Sequence, residues 1–86
     1  MTKVSIILAD VSEFMSEAYT DVVYSSTDHE LVVRRFKEAV INYVDENREG
    51  ASVTFPGNDR GYAEASYDGD VYVFATFEIH TFILND

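Results

Sequence analysis

The chain has 86 residues, with 16 Asp and Glu against 6 Lys and Arg, for a formal net charge of −10. It has no Cys, which removes disulfide frameworks and thiolate metal sites. A hydrophobic fraction of 47% and an aromatic fraction of 14% argue for a folded chain, a single domain over 1–86, and the acidity argues against direct contact with nucleic acid or an anionic membrane, which would repel it.

The first predicted element is a strand at about 3–9. The apolar run behind Lys3 is too short for a secretory core or a membrane span, so a cytoplasmic chain is expected. Residues 10–18 read as a polar connection. A second strand over 19–25 follows from the β-branched and aromatic content of Tyr19-Thr20-Asp21-Val22-Val23-Tyr24-Ser25. Thr27-Asp28-His29-Glu30 fits a capping box, which predicts a helix from Thr27 to about Asn47 or Arg48, stopped by Gly50. At 100° per residue, Val32, Val33, Phe36, Ala39, Val40, Tyr43 and Val44 form one apolar stripe. Leu31 and Ile41 fall outside it, where they are either scattered apolar surface or a contact site. Arg34, Lys37 and Arg48 form a basic stripe on the opposite side.

The rest of the chain reads as β. A short strand spans 51–55, and Pro56 to Gly61 is a loop. Residues 61–67 and 71–84 form a hairpin around Asp68-Gly69-Asp70. A two-residue turn pairs Ser66 with Val71 and Glu64 with Val73. A three-residue turn pairs Tyr67 with Val71, Ala65 with Val73 and Ala63 with Ala75. The second keeps apolar residues together and is preferred. Strict alternation then puts Val71, Val73, Ala75, Phe77, Ile79 and Ile83 against the helix. It leaves Tyr72, Phe74, Thr76, Glu78, His80, Phe82 and Leu84 on the other face. The expected fold is α+β, with an antiparallel sheet of four or five strands, one helix on one face, and the order β-β-α-β-β-β. One helix leaves the second face to solvent, a partner or another copy.

Candidate chemistry is sparse. His29 reads as a solvated first-turn residue, and His80 beside Glu78 as a surface pair. Asp68 and Asp70 could offer oxygens to a hard cation if Asn58-Asp59 converged on them, but turn chemistry accounts for the Asp-Gly-Asp run. The glycines make no phosphate-binding loop. No cofactor, metal or catalytic residue is expected.

Charge patterning is more informative. Segments 1–33 and 51–86 each carry six acids and one base, while 34–50 is balanced. The expected molecule has an acidic sheet-and-loop surface and a mixed helix back. Alternate carboxylates on a strand repeat at about 6.6 Å and can occupy sites built for phosphates. The candidates are Asp10, Glu13, Glu17 and Asp21 at the first connection, with Asp59, Glu64, Asp68, Asp70 and Glu78 on the hairpin. Plain solubility is the competing explanation.

Ile6-Ile7-Leu8, Val22-Val23-Tyr24-Ser25-Ser26 leading into a capped helix, and Phe77-Glu78-Ile79-His80-Thr81-Phe82-Ile83-Leu84 give a layout that resembles small acidic phage and mobile-element inhibitors, the anti-CRISPR and anti-restriction DNA mimics. The resemblance lies in layout and charge, without a diagnostic motif. It implies a non-enzymatic blocker of a host nucleic-acid-binding protein, acting in the host cytoplasm by covering a basic surface. The alternative is a structural or adaptor protein that dimerises or docks through an aromatic face of Tyr72, Phe74 and Phe82.

Overall fold

The computed structural model describes residues 2–12 and 18–84. Its elements are β1 (Thr2–Val11), β2 (Tyr19–Ser26), α1 (His29–Asn47), β3 (Ser52–Thr54), β4 (Arg60–Tyr67) and β5 (Asp70–Leu84). The strands form one antiparallel sheet in the order β2-β1-β5-β4-β3, and the helix packs on one face. This is the expected α+β fold with the expected element order.

The helix follows from its apolar spacing. Val32, Phe36, Val40 and Val44 recur at i, i+4 and are buried. They meet Ile7, Ala9 and Val11 of β1, Ala63 of β4, and Phe74, Ala75 and Phe77 of β5 in one core. Edge-to-face ring contacts link Phe36 to Phe55 and Tyr43 to Phe77, both at 5.8 Å.

The N-cap lies one residue later than the sequence suggests. Asp28, not Thr27, caps α1, and its Oδ1 accepts from the Leu31 amide at 3.2 Å. Asp and Thr both cap well, and the carboxylate also faces the positive end of the helix dipole. With Asp28 at that position, the residue three further on is Leu31, so the reciprocal half of the box is not made.

The largest correction is at the β4–β5 hairpin. Tyr67 pairs with Asp70, leaving a two-residue turn of Asp68 and Gly69. Both have positive φ, 52° and 86°. That is the backbone of a tight primed turn, whose twist matches the strands, and Asp-Gly suits it. Turn geometry therefore wins at the tip, and Ser66 pairs with Val71 and Glu64 with Val73. The register then shifts, and Ala63 pairs with Ala75. Phe74 is the extra residue of a bulge, so both pairings weighed from sequence occur, one on each side of it.

The bulge exchanges the faces of β5. Before it, Tyr72 and Phe74 point at the helix, and Val71 and Val73 point away. After it, Ala75, Phe77 and Ile79 point at the helix, and Thr76, Glu78, His80, Phe82 and Leu84 point away. Phe74 is 4% exposed and Val73 48%. The expected aromatic face is thus not assembled, because only Phe82 lies on the uncovered side. A second bulge, at Val23 opposite Ile7 and Leu8, lets both Val23 and Tyr24 pack on the core.

Candidate functional site

The geometry is set by two lengths. β5 has 15 residues, about 50 Å at ~3.3 Å each, and the molecule is 49 Å long. α1 has 19 residues, about 28 Å at ~1.5 Å each. The helix therefore covers only part of the sheet. At its N-terminus, His29 Nδ1 lies 2.7 Å from Ser5 Oγ, which lies 3.2 Å from Thr81 Oγ1. At its C-terminus, the Arg48 guanidinium sits 5.6 Å above the Tyr72 ring and 5.3 Å above the Phe74 ring. The helix runs along β5 from Thr81 to Tyr72. The hairpin tip overhangs one end of the helix, and the Thr2–Val4 and Phe82–Leu84 ribbon overhangs the other.

These anchors revise two expectations. His29 is exposed, yet its ring is tied to Ser5, which is 2% exposed and otherwise a buried hydroxyl. Arg48 is not part of a free basic stripe. It caps the helix, donating its backbone N–H to the Val44 carbonyl at 2.7 Å, and stacks on two rings. Lys37 lies 5.8 Å above Phe55.

Using β5 as a ruler sorts the charges by end. Asp10 lies opposite Thr76, Glu64 opposite Val73, and Asp68 and Asp70 at the tip. Asp21 lies opposite Ala9, which pairs with Phe77. Arg48 brings the last helical turns, with Asp45, Glu46 and Glu49, to the same end. Among the described residues, this tip half holds eight carboxylates against one cation, Arg48. The other half holds Asp28, Glu30, Glu38, Asp59 and Glu78 against Lys3, Arg34, Arg35, Lys37 and Arg60, which balance. The polarity therefore runs along the molecule, not between sheet and helix.

Of the sequence candidates, Asp10, Asp21, Glu64, Asp68 and Asp70 share the acidic end. Glu78 and Asp59 do not. Glu78 lies opposite Leu8 on the uncovered face, 3.3 Å from His80 Nε2, and His80 stacks on Phe82. Asp59 sits before β4, whose eight residues separate it from the Asp68 turn by about 30 Å. The two loops do not converge on a cation, and the described residues hold no cluster of three or more metal-ligating side chains. Glu13 and Glu17 lie outside the described residues. Asp45, Glu46 and Glu49 were not candidates, since their place depends on which way the helix lies.

The acidic end also carries apolar surface. Val71 and Val73 point outward from the uncovered face with Glu64 beside them and Asp68 and Asp70 beyond. Next to them an open cleft of ≈ 410 Å³ is bordered by Asp10, Tyr19, Thr20 and Thr76. Thr20 donates its hydroxyl to Asp10 Oδ1 at 2.9 Å. On the helix side, Tyr43 donates to Asp21 Oδ2 at 3.0 Å. Burial, followed by this bond and the charge of Asp21, holds the Tyr43 phenol far above the usual tyrosine range.

Among the described residues, no helix is long and apolar enough to cross a membrane. Comparison with family models, curated proteins and solved structures gives no match.

Proposed function

We propose that the chain is a non-enzymatic binding protein that covers a basic, nucleic-acid-binding surface of a partner protein with its acidic end. The observation that carries this reading is the axial segregation of charge. Solubility alone needs net charge, not an excess of carboxylates gathered in one half of the molecule. Rigid strands and a tight turn hold several of these carboxylates in fixed positions, so little ordering cost is left for binding. Val71 and Val73 supply a desolvating centre, and the acids form a charged rim that steers a cationic partner. A nucleic-acid-binding groove has the complementary features, a fixed array of Arg and Lys spaced for phosphates.

The test is capture of a partner from a bacterial lysate on the immobilised protein, with elution by a salt gradient. The recovered partner is then assayed for nucleic-acid binding by fluorescence anisotropy, with the protein as competitor. The expected outcome is competition that weakens steeply with salt and falls by at least about a hundredfold in the triple variant Glu64→Lys, Asp68→Lys, Asp70→Lys. Binding that is indifferent to salt and survives the triple reversal refutes the proposal.

A further inference from the structure

The sheet runs on past the start of α1, and there its helix-side face turns polar. Ser5 pairs with Thr81 on one side and Ser26 on the other, and Lys3 lies two residues along the same face of β1. With Thr27 and His29 from the start of the helix, Lys3, Ser5 and Thr81 border an open cleft of ≈ 330 Å³. That is at the lower end of the range for small-molecule sites, about 300–1,000 Å³. The lining is out of character for a chain with 16 acids and 6 bases. Among the described residues it holds one ammonium, one imidazole, three hydroxyls and no carboxylate, while Met1, Asn85 and Asp86 lie outside those residues. Asp28, next to His29 in the chain, turns its Oδ1 to the Leu31 amide at 3.2 Å. The donors of the cleft are therefore its side chains, not an uncapped helix end.

We infer that this cleft is a phosphate-binding site, in which Lys3, Thr27 and Thr81 contact the oxyanion and a relay through Ser5 ties it to His29. Ser5 is 2% exposed, and its hydroxyl lies 2.7 Å from His29 Nδ1 and 3.2 Å from Thr81 Oγ1. A hydroxyl has one proton to give. If Ser5 donates to an unprotonated Nδ1, Thr81 must donate to Ser5. If Nδ1 carries a hydrogen and donates to Ser5, Ser5 can donate to Thr81. Only the second arrangement frees the Thr81 proton for an oxygen in the cleft. An oxyanion there selects it and fixes a hydrogen of His29 on Nδ1. A phosphoryl group suits the site because its three strong acceptor oxygens match three donors, the Lys3 ammonium and the Thr27 and Thr81 hydroxyls. The net charge of the chain does not repel an anion here. Thr81 lies eleven residues from Asp70 along β5, about 36 Å, which is several Debye lengths of about 8 Å at physiological salt.

The experiment is proton–nitrogen correlation NMR of the backbone and histidine rings of the full chain. It is titrated with inorganic phosphate and, in separate arms, with a nucleoside monophosphate and with acetate, at constant pH and ionic strength. The chain has two histidines, so His29→Gln assigns the ring signals, and His80, on the opposite face beside Glu78, is the internal control. The expected result is saturable binding of phosphate, with the His29 ring nitrogens moving toward the form protonated at Nδ1 and those of His80 unmoved. Lys3→Gln should weaken binding at least about tenfold, as loss of a charged hydrogen bond does. Ser5→Ala, checked for folding by circular dichroism, should abolish the His29 ring response. Tighter binding of the nucleoside monophosphate identifies a nucleotide as the source of the phosphoryl group, and equal or weaker binding identifies free phosphate. No saturation by either phosphate compound overturns the inference, as does acetate that binds as well as phosphate. So does a Lys3→Gln chain that binds like wild type, or a His29 ring that does not respond at saturation. The measurement involves no other protein, so its failure and the failure of the proposed function are separate events.

Discussion

The bulge at Phe74 makes a prediction that distinguishes the observed faces of β5 from those of an unbroken strand. Phe74 is 4% exposed beneath Arg48, whereas Val73 is 48% exposed. Phe74→Ala removes about 150 Å² of buried aromatic surface, worth about 4 kcal/mol at ~25 cal/mol per Å². Measured Phe-to-Ala costs in cores run about 3–5 kcal/mol, which agrees. Val73→Ser should stay within about 0.5 kcal/mol, as exposed substitutions do. The assay is urea unfolding followed by circular dichroism. With m near ~1 kcal/mol per M, Phe74→Ala should lower the midpoint by several M. A domain of this size has roughly 4–13 kcal/mol of stability, so the variant could be unfolded before urea is added. Phe74→Leu, expected to cost about 1–1.5 kcal/mol, keeps the test readable. Strict alternation along β5 exchanges the two residues. A nearly silent Phe74→Ala together with a Val73→Ser that costs about 2 kcal/mol or more would refute the bulge and every face assignment built on it.

Three further outcomes follow from specific contacts. Asp28→Ala should cost about 1 kcal/mol in thermal or urea unfolding and Thr27→Ala only a few tenths, the reverse of what a cap at Thr27 requires. Gly61→Ala should cost about 1–3 kcal/mol, because a Cβ there meets the Phe55 ring at 2.9 Å while Phe55 is held against Phe36; a Gly61→Ala chain as stable as wild type would show that Phe55 yields freely. Tyr43→Phe should cost about 0.5–1 kcal/mol at neutral pH. The fold favours the protonated Tyr43 phenol, so this contribution is complete below the ordinary tyrosine pKa of ~10 and is lost as pH rises above it. The stability gap between wild type and Tyr43→Phe should therefore narrow in strongly alkaline buffer, and a gap that widens there contradicts the assignment.

Local signals carried the fold further than they carried the site. The helix was legible because Val32, Phe36, Val40 and Val44 repeat at one period, and Gly50 marks its end. The strands were legible from β-branched and aromatic runs. What failed was parity. A single bulged residue, Phe74, inverts the meaning of alternation on one side of it, and nothing in Val71 to Ala75 announces where the extra residue falls. Asp-Gly fixed the turn, the apolar match of Ala63 with Ala75 fixed the distal register, and the two agree only with a bulge between them. The aromatic face of Tyr72, Phe74 and Phe82 dissolved for that reason. The acidic site was half legible. Segment charges gave its sign, but gathering Asp45, Glu46 and Glu49 with Glu64 and Asp68 requires knowing that the helix lies along β5 with its C-terminus toward the tip. Only tertiary contacts such as Arg48 on Tyr72 supply that.

The length mismatch between a helix of about 28 Å and a strand of about 50 Å gives the molecule its two ends, and charge makes them different. If the acids were spread evenly, neither end would single out a basic surface. Segregation sets the orientation of approach, because a cationic groove is drawn to the half that holds the unbalanced carboxylates and gains nothing from the balanced half. Screening weakens that attraction, so affinity for a cationic partner should fall as salt rises while the fold itself, held by its apolar core, does not change.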